Sequence, residues 1–280
     1  MKNFFRKVLW FVGKNTRLHA INKNLSQLNL EKLKQSKRYN DQKNLINYGF
    51  KSYSQSDEDG IIEEIFNRVG TVNKNFIEIG VQDGLECNTT YLLNQGWNGI
   101  WIEQDTAQCN KITKTFDFLL NKKLKVINKT ASVSNINNMV KENSNLKEEV
   151  DLLSIDIGLN TFHVLNEINI IKPRVVVTEY NAKFGPQTKL AVKKSENENW
   201  DGSDYFGASL KSFELMMKKK DYLLVGCNIT GINAFFLRKD LINEKFLNNF
   251  TSEFHYENQK IWLIKAFEPD LKIKIKEFET

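Results

Sequence analysis

The stretch NFIEIGVQDG, residues 75–84, decides the fold. An apolar run of strand length carries one acid, Glu78, and gives way to two glycines four apart, Gly80 and Gly84. Runs of the same texture follow at 99–104 (GIWIEQ), 124–129 (LKVINK), 150–157 (VDLLSIDI), 173–181 (PRVVVTEYN), 222–228 (YLLVGCN) and 232–238 (INAFFLR). Helix-compatible segments of roughly a dozen residues separate the first five, which is the spacing of repeated βαβ units. The cores of the runs are nearly all apolar, as in strands buried on both faces. Only Ile229, Thr230 and Gly231 separate the last two, too few for a parallel crossover. The expected fold is therefore α/β: a Rossmann-like, mostly parallel sheet of seven strands with an antiparallel last strand and helices on both faces.

In such a sheet, ligands collect outside the carboxyl ends of the strands. Gly80 permits a tight turn there, and the helix that follows would aim its N-terminus at the same place. An ordinary strand-to-helix turn reads the same way, since the full GxGxxG fingerprint is absent. Glu103, which closes WIE 19 residues after Gly84, sharpens the reading. An acid at that distance is where a nucleoside-binding fold places the carboxylate that accepts both ribose hydroxyls. Asn128 ends the third strand, on the adenine side of such a pocket, and Asp156 ends the fourth. Glu78 argues against a dinucleotide, because a carboxylate repels a pyrophosphate and attracts the ammonium group of S-adenosylmethionine.

Several further motifs occur in order: YSQSDEDGIIEEIF (53–66), LLSIDIGLN (152–160), VVVTEYN (175–181) with FGP (184–186), and the segment from Tyr205 to Arg238. With FIEIGVQDG and the acid of WIEQD, they make the chain from about Ser52 to Leu237 resemble the S-adenosylmethionine-dependent methyltransferases of the FkbM-like type. The resemblance implies a class I methyltransferase sheet and acceptors among sugars, polyketide-type hydroxyls and cell-surface glycan decorations. It also implies Glu78, Gly80, Asp83 and Gly84 around the methionine part of the cofactor, Glu103 at its ribose, Asn128 near its adenine and Asp156 beside it. Gln55 falls in a segment, Ser54 to Gly60, that helps to close the pocket in this family; the same residues also read as an N-cap for the helix GIIEEIF.

The fourth strand departs from the pattern. Related chains read Asp-x-Asp-Gly-Asn-Asp, whereas this one reads Asp156-Ile157-Gly158-Leu159-Asn160-Thr161. Asp156, Glu179 and Asn181 resemble the oxygen set that holds Mg²⁺ in metal-dependent O-methyltransferases, with Gly158 leaving it one ligand short. A sugar hydroxyl needs a base or a metal before it attacks a methyl group. The candidates are Asp156, Glu179 and His163, which lies seven residues after Asp156 at the start of a helix. A helix-face histidine satisfied by a neighbour is the plainer account of His163. His19 and His255 carry no expectation.

A phosphoryl or phosphoramidate oxygen is already anionic and needs no base. Lys183, Lys189, Lys193 and Lys194 would suit it, although a solvated loop reads the same way. Tyr180, Phe184, Trp200, Tyr205 and Phe206 could stack on a sugar or simply anchor the loop. The segment 184–209 is long enough to read as a substrate lid. The expected activity is O-methylation of a sugar, or of a phosphoryl or phosphoramidate decoration, on a capsule-like cell-surface polysaccharide or its nucleotide-linked precursor. The alternatives are a non-catalytic scaffold of the same fold and a nucleic-acid methyltransferase or binder.

Composition sets the outer bounds. The 280 residues are 41% hydrophobic and carry a formal charge of +6, too apolar for a disordered chain. The charge is uneven: residues 1–45 hold 11 basic and 2 acidic side chains, so their +9 leaves −3 for the rest. That split weakens a nucleic-acid reading of the body and assigns 1–50 to a basic helical extension and 51–280 to the catalytic domain. Phe4, Phe5, Val8, Leu9 and Phe11 make residues 4–12 amphipathic, either packed on the body or docked on a membrane or another subunit. Three widely spaced cysteines fit a reducing cytoplasm, with or without attachment to the inner membrane surface. Self-association is also open. The final KIKIKEF reads as an edge strand or a tail.

Overall fold

The computed structural model describes residues 17–144, 149–195, 200–269 and 275. All seven apolar runs form strands: β1 (Asn75–Ile79), β2 (Asn98–Glu103), β3 (Leu124–Asn128), β4 (Leu152–Ile155), β5 (Val175–Glu179), β6 (Tyr222–Cys227) and β7 (Asn233–Arg238). They make one sheet in the order β3-β2-β1-β4-β5-β7-β6. The first five are parallel, while β7 runs antiparallel to both β5 and β6. The Rossmann-like expectation and the closing hairpin both hold. Strand order reverses between β1 and β4, so the crevice that receives ligands in open α/β sheets opens there.

Seven helices attend the sheet: α1 (Arg17–Lys34), α2 (Glu58–Val69), α3 (Thr90–Asn94), α4 (Thr106–Thr115), α5 (Ile136–Asn143), α6 (Thr161–Glu167) and α7 (Leu210–Lys219) among the described residues, with a short α8 (Ser252–His255) beyond. Strand side chains alternate between two layers, as pleating dictates. Ile77, Ile155 and Val176 join α5, α6 and α7 in one core. Phe76, Trp101, Leu152 and Val177 join α2, α3 and α4 in the other. Each fully buried side chain of this size contributes about 1.5–3 kcal/mol. The same alternation carries Glu78, Ser154, Glu179 and Asn233 to the α2–α4 side of the sheet, with Glu78 paired to Ser154 and Glu179 to Asn233 across neighbouring strands.

The basic extension is partly built into this body. Tyr39, Leu45 and Ile46 are buried, and Leu45 packs over Gly226 of β6. Helix α1 packs against the 3₁₀ turn Ile261–Phe267, where Ser26 Oγ donates to the Trp262 carbonyl at 3.1 Å. Arg38 joins Glu257 at 3.0 Å. The amphipathic segment 4–12 lies outside the described residues, as does the KIKIKEF tail apart from Ile275, which is buried.

Candidate functional site

The chain leaves β1 through Gly80, whose φ is +85°. A Cβ on Gly80 would stand 1.8 Å from the Asp156 carbonyl oxygen, so the turns after β1 and β4 can pass only at a glycine. Gly80 N donates to Ile102 O, and Asp156 N to Ile79 O, both at 2.9 Å, which stitches the three strand ends together. Gly84 is needed for another reason. Its missing Cβ faces the Trp101 and Phe116 rings at 2.6 and 2.9 Å, toward the core and away from any ligand. Asp83 accepts from Leu85 N at 3.2 Å and shapes the same loop.

Glu78 is buried and turned inward. Its carboxylate accepts from Asn88 N and Thr89 N at 3.1 Å, from Ser154 Oγ at 3.0 Å and from the Thr89 hydroxyl. Thr89 Oγ1 in turn accepts from Trp101 Nε1 at 2.8 Å. The pairing with a ligand ammonium expected from sequence is replaced here by four protein donors that hold the 82–90 loop. Burial pushes the Glu78 carboxyl up to about 7 against these bonds.

Glu103 ends β2 as expected and is also buried. It accepts from Val81 N at 3.1 Å, Gln82 N at 2.7 Å and Asp105 N at 2.8 Å. Three donors on about four acceptor positions leave room for one more, on the oxygen that only Asp105 reaches. Asn128 ties the adjoining turn: its amide nitrogen donates to the Glu103 and Gln104 carbonyls at 3.0 Å, and its oxygen accepts from Thr106 at 2.8 Å. It shapes this wall of the crevice and keeps one acceptor position on its amide oxygen.

Asp156 and Glu179 lie side by side after β4 and β5. Asp156 is open to solvent yet densely surrounded by protein, as on a cleft floor. Burial and then the Asp156 charge push Glu179 far above the usual carboxylate range, and burial raises Asp156 as well. Near neutral pH the pair therefore shares one proton and holds one negative charge. Asn181 does not join them. Its amide donates to the Asp204 and Phe206 carbonyls at 2.9 and 3.2 Å, and its oxygen accepts from Lys183 N. Gly158, at φ +67°, has Trp200 Cβ 3.3 Å from where its own Cβ would be, so the Trp200 side chain starts directly against this turn. Among the described residues no three acidic, histidine or cysteine side chains converge on one point. With Asn181 turned away and a glycine at 158, Asp156 and Glu179 alone do not make up the Mg²⁺ set that the resemblance implied.

His163 projects from α6 to the loop between β5 and α7. Its Nε2 meets the Val192 carbonyl at 2.8 Å, which requires the proton on Nε2. Next to it, Asn160 grips both backbone groups of Ser195. The loop is closed at its base by a bridge between Ala191 and Ala208, with Val192 N to Gly207 O at 3.0 Å and Ser209 N to Leu190 O at 2.8 Å. Trp200 stacks edge-on against Phe206 at 5.9 Å and is half exposed. Tyr180 takes the anchoring reading: it is buried in the core and donates to the Glu257 carbonyl. Lys183 is paired with Asp204, which removes one of the four lysines from the anion-binding reading.

A buried polar network escaped the sequence reading. Asn228 donates to Glu58 Oε1 at 2.7 Å and Thr230 Oγ1 at 2.7 Å, and Asn233 donates to Glu58 at 3.0 Å. Asp57 Oδ2 accepts from Ile229 N at 3.1 Å. Asp59 Oδ2 gathers Ser52 N, Tyr53 N and Ser54 N within 3.0 Å. The segment Ser54 to Gly60 thus clasps the β6–β7 turn, and Asp57 does not cap α2 with its side chain. Gln55 is exposed, its carbonyl accepting from Lys51 Nζ at 3.3 Å. The only signal in the sequence was the pair of asparagines bracketing the turn.

Three of these buried acids titrate unusually. Burial, reinforced at Asp57 by the Glu58 charge, raises Asp57 to about 7 and Asp59 to about 6, beside Glu78 at about 7. Each folded value lies above the unfolded one, so the folded state binds protons more tightly. Stability is therefore lowest above pH 7 and rises as the pH falls toward 5. A melting temperature about 5 °C higher at pH 5.5 than at pH 8 is expected by calorimetry. A melting point that falls steadily over that range would contradict the inward placement of these groups.

No family model matches the chain, and no curated protein matches it either. Solved structures similar to it include an S-adenosylmethionine-dependent methyltransferase from Clostridium acetobutylicum, at 12% identity over 63% of this chain and 88% of that one, with a TM-score of 0.39. M. capricolum TrmK, in complex with S-adenosylhomocysteine, is similar at 13% identity over 65% of this chain and 71% of that one, with a TM-score of 0.41. The N-terminal domain of EvdMO1 with the same product bound is similar at 10% identity over 66% and 80%, with a TM-score of 0.41.

Proposed function

We propose that the protein is an S-adenosylmethionine-dependent methyltransferase of the FkbM-like type that methylates a hydroxyl of a sugar, in a cell-surface polysaccharide or its precursor. The observation that carries this reading is the proton-sharing pair Asp156–Glu179, set at the carboxyl edge of a sheet whose β1 and β2 turns are latched by Glu103. The cofactor fits the residues present: Glu103 keeps one acceptor position for a ribose hydroxyl, and the Gly80 turn lies beside it. Bound there, S-adenosylmethionine supplies an electrophilic methyl carbon.

The chain's own residues do the rest. The pair at 156 and 179 offers its negative charge as an acceptor for the hydroxyl proton while keeping the proton it already shares. An anionic phosphoryl acceptor would meet that charge and be repelled, and it would lose the help of the paired Lys183. A sugar hydroxyl is therefore favoured over a phosphoramidate. Trp200 and Phe206 are placed to cover an apolar sugar face and to exclude water from the cleft floor.

Titration calorimetry with S-adenosylhomocysteine tests cofactor binding; no measurable affinity would sink the enzyme reading. Labelled methyl donor with surface-glycan precursors, followed by mass spectrometry, locates the methyl group on a sugar oxygen or on phosphorus-bound oxygen. The double variant Asp156→Asn, Glu179→Gln, which removes the charge of the pair, should lower kcat about 100-fold, whereas Glu179→Gln alone keeps a charge on Asp156 and should lose much less. His163→Ala should raise the acceptor KM with little effect on kcat, because His163 acts through the Val192 carbonyl. A full-sized kcat loss in the histidine variant, with the double variant active, would reverse the two roles.

A further inference from the structure

The Asp156–Glu179 pair has a third neighbour. Glu179 ends β5, and Asn233 opens β7 directly opposite it in antiparallel register. The next pair along, Tyr180 and Ile232, is joined by a backbone bond of 2.9 Å from Tyr180 N to Ile232 O. Bonded and open pairs alternate along an antiparallel ladder, so Glu179 and Asn233 are an open pair, the kind whose side chains stand closest. Their Cβ atoms are therefore about 4.5–5.5 Å apart, on one face of the sheet.

The Asn233 amide has a fixed direction. Its nitrogen donates to Glu58 Oε1 at 3.0 Å, and the same oxygen takes the amide of Asn228, just after β6, at 2.7 Å. Glu58 Oε2 accepts from Ser56 N at 2.7 Å. Every partner of Glu58 is thus a donor, so the nitrogen of Asn233, not the oxygen, must face it. Glu58 lies on the β6 side of β7, which leaves the amide oxygen on the β5 side, toward Glu179. Among the described residues no donor reaches that oxygen. Two oxygens face each other at this range only with a proton between them. We propose that Asn233 is the positioning residue of the pair. Its oxygen accepts the O–H of Glu179, which keeps the shared proton on that carboxyl and leaves the negative charge on Asp156, the member open to the crevice. Of charged groups, Asp156 faces Glu179 from the end of β4, and Glu58 faces Asn233 from the start of α2. The inference rests on the role proposed for the pair and sharpens it: the hydroxyl proton goes to Asp156.

Carboxyl ¹³C NMR of the full chain at neutral pH, labelled at aspartate and glutamate and with no donor or acceptor added, tests it. The signal that Glu179→Gln removes should sit at the acid position in the wild type, and the one that Asp156→Asn removes at the carboxylate position. Asn233→Leu, similar in size, should move the two toward each other, shifting the ratio of the two proton placements about tenfold toward Asp156. Asn233→Ser, too short to reach either carboxyl group, is a second variant with the same expected shift, and circular dichroism checks that both fold. With glycan precursors, Asn233→Leu should lower kcat about tenfold at an unchanged acceptor KM, and should add nothing to the Asp156→Asn, Glu179→Gln double variant. An ionised Glu179 in the wild type overturns the proposal, as do unmoved signals in both variants. A kcat loss that adds in full to that of the double variant would assign Asn233 to structure alone. Failure of the methyltransferase reading shows separately, as absence of S-adenosylhomocysteine binding with the expected signals in place.

Discussion

Replacing Gly80 by alanine is expected to lower the unfolding free energy by about 2–4 kcal/mol. Two effects add. A side chain at φ +85° costs about 1 kcal/mol, and a Cβ 1.8 Å from the Asp156 carbonyl oxygen forces the β1 and β4 turns apart, at about 1–3 kcal/mol. Gly202 supplies an internal control, since it has the same φ of +85° with nothing within 4 Å of an added Cβ. Gly202→Ala should therefore lose only the conformational part. Urea midpoints for the two variants separate the effects, and equal losses would show that the two turns do not meet. Because the Gly80 turn also borders the cofactor crevice, Gly80→Ala should lose S-adenosylhomocysteine affinity beyond what its folded fraction explains.

Glu103→Ala is expected to weaken S-adenosylhomocysteine binding at least tenfold and to cost about 3 kcal/mol of stability. Sequence alone predicts only the first effect. The second follows from the three backbone donors, Val81 N, Gln82 N and Asp105 N, that the substitution would strand in a buried place. Glu103→Gln preserves size and one acceptor, and should fall between wild type and alanine on both measures. Lost affinity with intact stability would remove the latch between the β1 and β2 turns. Lost stability with intact affinity of the folded fraction would remove the ribose contact.

The strands were legible because burial on both faces leaves an unbroken apolar signal, and the three-residue gap at Ile229 to Gly231 forced the hairpin. Side-chain direction was not legible at Glu78: which way a carboxylate turns at a strand end depends on donors such as Asn88 N and Thr89 N, supplied by a loop of no fixed pattern. For Tyr180 the choice between stacking and anchoring was decidable, because it follows Glu179 where alternate residues point to opposite layers, so both cannot face the same cleft. A neighbour for His163 was foreseeable but not its identity, and Asn181 resisted prediction, because their partners, Val192 and Asp204, belong to the loop after β5. The motif at 54–60 was recognised, but its bonds run to residues 170 to 175 positions away, which no local spacing encodes.

The bridge between Ala191 and Ala208 brings the two ends of the β5–α7 loop back to a single point. The loop also docks at Val192, at Ser195 and through the Asp204 and Phe206 carbonyls on Asn181. On the proposed function, acceptor preference and cofactor retention are then separable traits of one chain. A library that keeps these docking points can alter the first while the sheet and the Glu103 latch preserve the second.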